Sequence, residues 1–204
     1  MKENIKAVLT LTIITVIAGT LLGYVYELTK DPIAAQKEAS KQAAYKSVFG
    51  EAASFEPYEG YSESDMRSLL DQSGFSDEAV TEVLNAKDSS GNILGHVLNI
   101  RTMEGYGGEI DISMGVTNEG MLNGMEILSI SETAGLGMKA DTDEFKDQFK
   151  GKTISQFAYS KTGAEKDYEI DALSGATITT NACVNAVNAG LVYCQNIAGG
   201  DKDE

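Results

Sequence analysis

Apolar residues recur along the chain in three different rhythms. From Ala7 to Tyr26, AVLTLTIITVIAGTLLGYVY, no residue is charged and no polar face recurs. About 20 helical residues cross a bilayer core, so this run predicts a membrane-spanning helix. DPIAAQKEASKQAAYKSVFG follows and is rich in helix formers. Pro32 suits the first turn of a new helix there, and Gly50 its end. In SESDMRSLLDQ, Met66, Leu69 and Leu70 stand at helical spacing behind a capping pair, Ser62 and Asp65. Ser76 caps a second short helix running through Leu84, and SSGN is a turn.

The period then changes from helical to two. ILGHVLNIRTM reads as a strand. GEIDISMGVT places Ile110, Ile112 and Met114 on one face, NEG turns the chain, and Met125 and Ile127 resume the alternation. Together they predict a hairpin. DEFKDQFKGKT reads as helical and YEIDAL as a short extended segment. TTNACVNAVNAGLVYCQNIA predicts a helix of about 18 residues with Val184, Val187 and Leu191 among its apolar positions. Strands in the middle with helices on either side predict an α+β fold with a central antiparallel or mixed sheet. The expected organisation is an anchor over 1–28, one domain over 29–198 with a helical insert at 50–92, and an acidic tail at 199–204.

Charge separates the two parts. The chain has 204 residues and a net charge of −15. Three lysines against two glutamates in residues 1–30 leave −16 on the remainder. Such a domain is repelled by nucleic-acid phosphates and anionic lipid surfaces. Lys2 and Lys6 precede the apolar run, which favours an N-terminus in the cytoplasm and a domain on the outer side of the cell membrane. A cleaved signal peptide is the competing reading. Its apolar core would be shorter, about 7–15 residues, and would end at small residues rather than at YELTKDP.

The inventory of reactive side chains is short. There is one histidine, His96, and two cysteines, Cys183 and Cys194. No metal-ligand spacing occurs, and nothing near His96 resembles a nucleophile turn. The cysteines are 11 positions apart, about 16 Å along a helix, too far for a disulfide, and read as small buried residues. No catalytic acid, base or nucleophile is assigned.

The candidate chemistry lies in three glycine-bearing stretches. DALSGATITT runs from Asp171 into the last predicted helix. A helix start offers unpaired N–H groups and a positive dipole end, so it favours a phosphate, and Gly175 permits close approach. Ser174, Gly175, Ala176 and Thr177 are the candidate residues. SETAGLGMK adds Glu132, Thr133, Gly135, Leu136 and Gly137, and EGYGGE precedes the first strand of the hairpin. Each stretch alone is compatible with a turn or an ordinary helix cap.

Their order along the chain resembles the FMN-binding domain shared by the G subunit of Rnf-type electron transport complexes and the C subunit of sodium-translocating NADH:quinone reductases. The resemblance implies FMN held covalently as a phosphoester on Thr177, the last residue of SGAT. It implies that Asp171 is needed by the flavin transferase that attaches it, and that the 132–137 loop touches the flavin. ETAGLG departs from the family's ETPGLG at Ala134. GYGG, FKGK and the chain length favour the Rnf type.

The implied function is an electron-carrying subunit of an ion-translocating ferredoxin:NAD oxidoreductase, partnered by other membrane subunits. It would not be catalytic alone. A component like the quinone reductase's C subunit is the alternative within the family. A binding module outside the membrane without flavin, or a secreted flavoprotein reductase, are alternatives outside it.

Overall fold

The computed structural model describes residues 2–200. Residues 201–204 lie outside the described part, and with them most of the expected acidic tail. The chain divides into two compact units, Met1–Ser40 and Lys41–Glu204.

Helix α1 (Lys2–Val48) is continuous over 47 residues. Side chains from position 4 to 40 are exposed on every side, Leu9, Ile13, Ile17 and Leu21 among them. The apolar part has a mean hydropathy of 2.1 and is long enough to cross a membrane. Its hydroxyls are satisfied locally: Thr10 donates to the Lys6 carbonyl at 2.9 Å, Thr15 to Leu11 at 3.0 Å and Thr20 to Val16 at 2.8 Å. That turns polar groups inward, as a lipid setting requires. Pro32 does not open a second helix; it lies inside α1. One missing N–H costs about 3 kcal/mol in a helix interior. Long helix-forming runs on both sides carry the helix through the gap, because extension is far easier than a new nucleus.

In the second unit, β1 (Ser54–Pro57), β2 (Glu78–Lys87), β3 (Ile93–Gly105), β4 (Gly108–Thr117) and β5 (Leu122–Ser129) form an antiparallel meander in sequence order. Leu98 pairs with Met114 and Ile100 with Ile112 across β3 and β4, and all four are fully buried. The alternation of β4 is therefore what the sequence pattern predicts. Helix α2 (Glu63–Gln72) starts at Ser62, whose hydroxyl accepts from the Asp65 N–H.

The helix expected from Ser76 to Leu84 is strand β2 instead. A register shift between Val80 and Glu82 interrupts the period of two, so the buried Val80, Val83 and Leu84 fall at helix-like intervals. DEFKDQFKGKT is helical only for α3 (Asp143–Lys146) and a 3-10 turn over Asp147–Phe149. β6 (Ala158–Ser160) and β7 (Glu169–Asp171) form a separate parallel pair, so YEIDAL is extended as expected.

Helix α4 (Thr177–Gly200) packs on one face of the sheet. Ala182, Ala186 and Ala189 are fully buried there. A Cβ on Gly190 would lie 2.3 Å from Met114 Sδ and 2.5 Å from Ile100 Cδ1. Small residues thus bring the α4 backbone down onto the strands. Tyr45, Val48, Phe49 and Ala52 cover the other face with Leu84, Ala86 and Val97. Both cysteines are buried and free, as expected.

Candidate functional site

The antiparallel pairing brings the end of β3, the start of β4 and the end of β5 to one edge of the domain. The three glycine-bearing stretches meet there around Glu132. Its Oε1 accepts the Gly107 N–H at 3.2 Å. A Cβ on Gly107 would sit 2.0 Å from the Ser131 carbonyl oxygen, so EGYGGE docks backbone to backbone on the 131–137 loop. Gly137 is just as confined: a Cβ there would lie 2.6 Å from Thr179 Oγ1 and 2.7 Å from Glu132 Oε2. The Thr133 carbonyl accepts from the Leu136 and Met138 N–H groups at 3.1 and 3.2 Å, closing the loop. Gly135 has open space but φ +78°, which side-chain-bearing residues rarely adopt.

The start of α4 completes the site. Gly175 adopts φ +75° and turns the chain into the helix. The Ala176 N–H bonds the Leu173 carbonyl at 3.0 Å, and the Thr180 N–H makes the first intrahelical bond, to Ala176 at 3.0 Å. The N–H groups of Thr177, Ile178 and Thr179 therefore have no partner within the helix and favour an anion. The hydroxyls differ sharply. Thr180 Oγ1 is buried, donating to the Ala176 carbonyl at 2.9 Å and accepting from the Leu173 N–H at 3.1 Å. Thr179 is buried under Gly137. Thr177 is half-buried.

A cleft of about 620 Å³ opens between these parts. Glu132, Thr133, Leu136 and Gly137 line one side; Gly175, Ala176, Thr177, Ile178 and Thr179 line the other, with Tyr106 at the rim. Tyr106, Leu136 and Ile178 are exposed apolar side chains at this cleft, 72%, 42% and 53% accessible. An aromatic ring system laid over them would remove that surface from water. The donor-rich helix end and this apolar rim fit the two halves of a flavin mononucleotide, phosphate and ring. Tyr106 and Ile178 are cleft residues that sequence reasoning did not single out; GYGG pointed to the first of them.

Three of the candidate residues do not line the cleft. Gly135 shapes the loop from behind. Ser174 is exposed on the turn. Asp171 ends β7, where its Oδ1 accepts the Ala164 N–H and its own N–H donates to Gln148 Oε1, both at 2.6 Å. Beneath the loop, burial and then the Glu132 charge push the Cys183 thiol up to about 12, so it stays protonated and unreactive. A second cleft of about 720 Å³, bounded by Tyr58, His96 and Leu191, is larger but contains none of the motif residues.

Comparison with known proteins gives the family. Residues 105–192 match the FMN-binding domain family, and residues 1–48 match the RnfG N-terminal region. The G subunit of the ion-translocating oxidoreductase complex of Methanosarcina acetivorans is 31% identical over 193 residues, 94% of this chain and 95% of that protein. The G subunit of the Na+-translocating ferredoxin:NAD+ oxidoreductase complex of Acetobacterium woodii is 29% identical over 200 residues, 97% of this chain and 94% of that one. Among solved structures, NqrC of Shewanella oneidensis superposes with a TM-score of 0.51 at 20% identity. That superposition covers 60% of this chain and 61% of the other, and it bears on the fold alone. With the N-terminal region and the FMN-binding domain both matched, and a relative 31% identical over 94% of the chain, the chain belongs to the family of G subunits of ion-translocating oxidoreductase complexes.

Proposed function

We propose that this chain carries FMN as a phosphoester on Thr177 and relays electrons within a membrane-bound ferredoxin:NAD+ oxidoreductase complex that moves ions. The observation that carries the reading is the difference among three neighbouring hydroxyls. Thr179 and Thr180 are buried, while Thr177 is half-open, in the cleft and at the donor end of α4.

The bound flavin supplies the electron transfer that no side chain here can perform. The chain's own residues do the rest. The N–H groups of the first α4 turn neutralise the phosphate. Gly175 and Gly137 keep the cleft open. Leu136, Ile178 and Tyr106 shield the ring, and Glu132 holds the 105–108 turn against the loop. Asp171, exposed six positions before Thr177, is the residue assigned to recognition by a flavin transferase. The relatives' names point to partner subunits in a complex of the same kind. Lys2 and Lys6 before the apolar span favour a cytoplasmic N-terminus and an outer domain.

Peptide mapping after co-expression with a flavin transferase tests the assignment. One FMN-phosphoryl group on the peptide containing Thr177, absent in Thr177→Ala, is expected. Attachment at Thr179 or Thr180 would move the site within the motif; an unmodified peptide would refute the covalent reading. Orientation is tested by Glu165→Cys, an exposed loop position. An impermeant thiol reagent should label it on intact cells.

A further inference from the structure

Glu78 is the one charged residue among the buried side chains described, with 2% of its surface accessible. Thr102 Oγ1 donates to its Oε1 at 3.1 Å and accepts the Glu104 N–H at 3.2 Å, so one hydroxyl joins the two acidic residues. Glu104 accepts from Asn185 Nδ2 at 2.6 Å and, at the outer limit, from Asn181 at 3.5 Å.

The pair is joined to the cleft by a single stripe of α4. Thr177, Asn181 and Asn185 follow at intervals of four, so they lie on one helix face. All three are half-buried. One helical turn, about 6 Å, separates Thr177 from Asn181. Tyr106, at the cleft rim, is two residues beyond Glu104.

Among the described residues, the other charged groups nearby leave the pair without a cation. Asp77 precedes Glu78 and adds negative charge. Arg67 on α2 gives its guanidinium to the Glu78 and Phe75 carbonyls and to Asp71. Arg101 on β3 pairs with Asp111 and Glu109. Helix α4 has no charged residue from Thr177 to Gly200. Burial first, and the Glu104 charge second, push the Glu78 carboxyl up to about 7, although the Thr102 hydroxyl pulls the other way.

We propose that Glu78, buried beside Glu104, exchanges a proton with solvent near neutral pH, so that the pair acts as a charge buffer for the cleft. Negative charge placed at Thr177 is answered by uptake of a proton from solvent onto the pair, which passes from two negative charges to one. The pair itself stands without a flavin; its role toward one rests on the function proposed above. No electron passes through the carboxyls, so Glu78 is a positioning residue for charge.

The test uses the full-length chain in detergent micelles, made without a flavin transferase and labelled with carbon-13 at the glutamate carboxyls. One carboxyl should titrate roughly two units above the ordinary range, and its signal should vanish in Glu78→Gln. Glu104→Gln approaches the pair from its accessible side. It should lower the Glu78 midpoint, which keeps the test open if Glu78→Gln does not fold. Glutamates that all titrate in the ordinary range would overturn the proton exchange at Glu78. Thr177→Asp should then raise the midpoint by roughly a few tenths of a unit relative to Thr177→Asn. Equal midpoints in those two variants would overturn the coupling to the cleft. Neither measurement needs FMN, so a failure of the flavin assignment would be recognised separately.

Discussion

Helices α1 and α4 look alike by composition and have opposite surroundings. The Ala7–Tyr26 part of α1 and the whole of α4 both lack charged residues. One exposes bulky aliphatic side chains on every face; the other is buried against a sheet. The difference lies in residue size and in what each polar group does. In α1 the glycines at 19 and 23 meet nothing, and threonine hydroxyls return to their own helix. In α4 the alanines and Gly190 form a flat face that the strands fill. Its polar groups reach outward: Asn188 accepts the Phe157 N–H at 2.7 Å and donates to the Phe157 carbonyl at 3.0 Å. An apolar stretch alone therefore does not identify a membrane span. Its steric profile, and the targets of its polar groups, tell the two kinds of helix apart.

The sharpest way to break this contrast is a charge in α1. Val16→Asp should cost about 3 kcal/mol at a bilayer centre. It should shift the chain out of the membrane fraction while the melting of the second unit stays unchanged. Glycine substitutions sharpen the comparison directly. Gly190→Val forces a branched side chain into Met114 and Ile100 and should destabilise by about 1–3 kcal/mol, read as a lower Tm. Gly19→Val, with nothing around it, should leave that Tm where it is.

The first turn of α4 is expected to show the same division on a smaller scale. Thr180→Val removes a buried hydroxyl that serves two backbone groups, and should cost about 1–2 kcal/mol in chemical denaturation. Thr177→Ala should abolish flavin attachment yet change stability by less than about 0.5 kcal/mol. In the facing loop, Gly137→Val meets Thr179 and Glu132, whereas Gly135→Val suffers only from its φ of +78°. Variants that fold should keep FMN on Thr177 with an altered flavin spectrum, more so for Gly137. The smallest effect belongs to Glu132→Gln. An amide oxygen can still accept the Gly107 N–H, so only the charge is lost. A redox titration of the full-length chain in detergent should show easier flavin reduction, by about 1 kcal/mol per electron or less. An unchanged potential there, with unchanged spectra in both glycine variants, would mean that the loop is only a turn.

Much of this molecule is legible in local pattern. The uncharged span, the β4–β5 alternation around its turn, the Ser62 cap and the α4 helix each follow from nearest-neighbour physics, and each appears where the sequence places it. The α+β class follows from the order of those elements, with the choice between an antiparallel and a mixed sheet left to the strand pairing. Local pattern failed at β2, where a bulge imitates helical spacing, and at Pro32, where flanking helix formers outweigh one missing hydrogen bond. The SGAT, ETAGLG and GYGG stretches could be named from sequence because glycines and hydroxyls cluster in each. Their meeting at Glu132 could not, since it depends on which strand ends the sheet brings together across about 70 residues of chain.

By itself, then, the sequence determined the anchor, the class of fold and the segments that carry the candidate chemistry. Periodicity, charge and glycine content are properties of neighbouring residues and need no long-range contact to be read. Only the tertiary structure decided that Thr177 stays half-open at the cleft while Thr179 and Thr180 are buried, and that Asp171 and Ser174 lie outside it. It also buried Glu78, from a segment with no recognisable motif, and joined it to Glu104 through the Thr102 hydroxyl. Burial and pairing are set by packing, and packing joins residues that the chain keeps far apart.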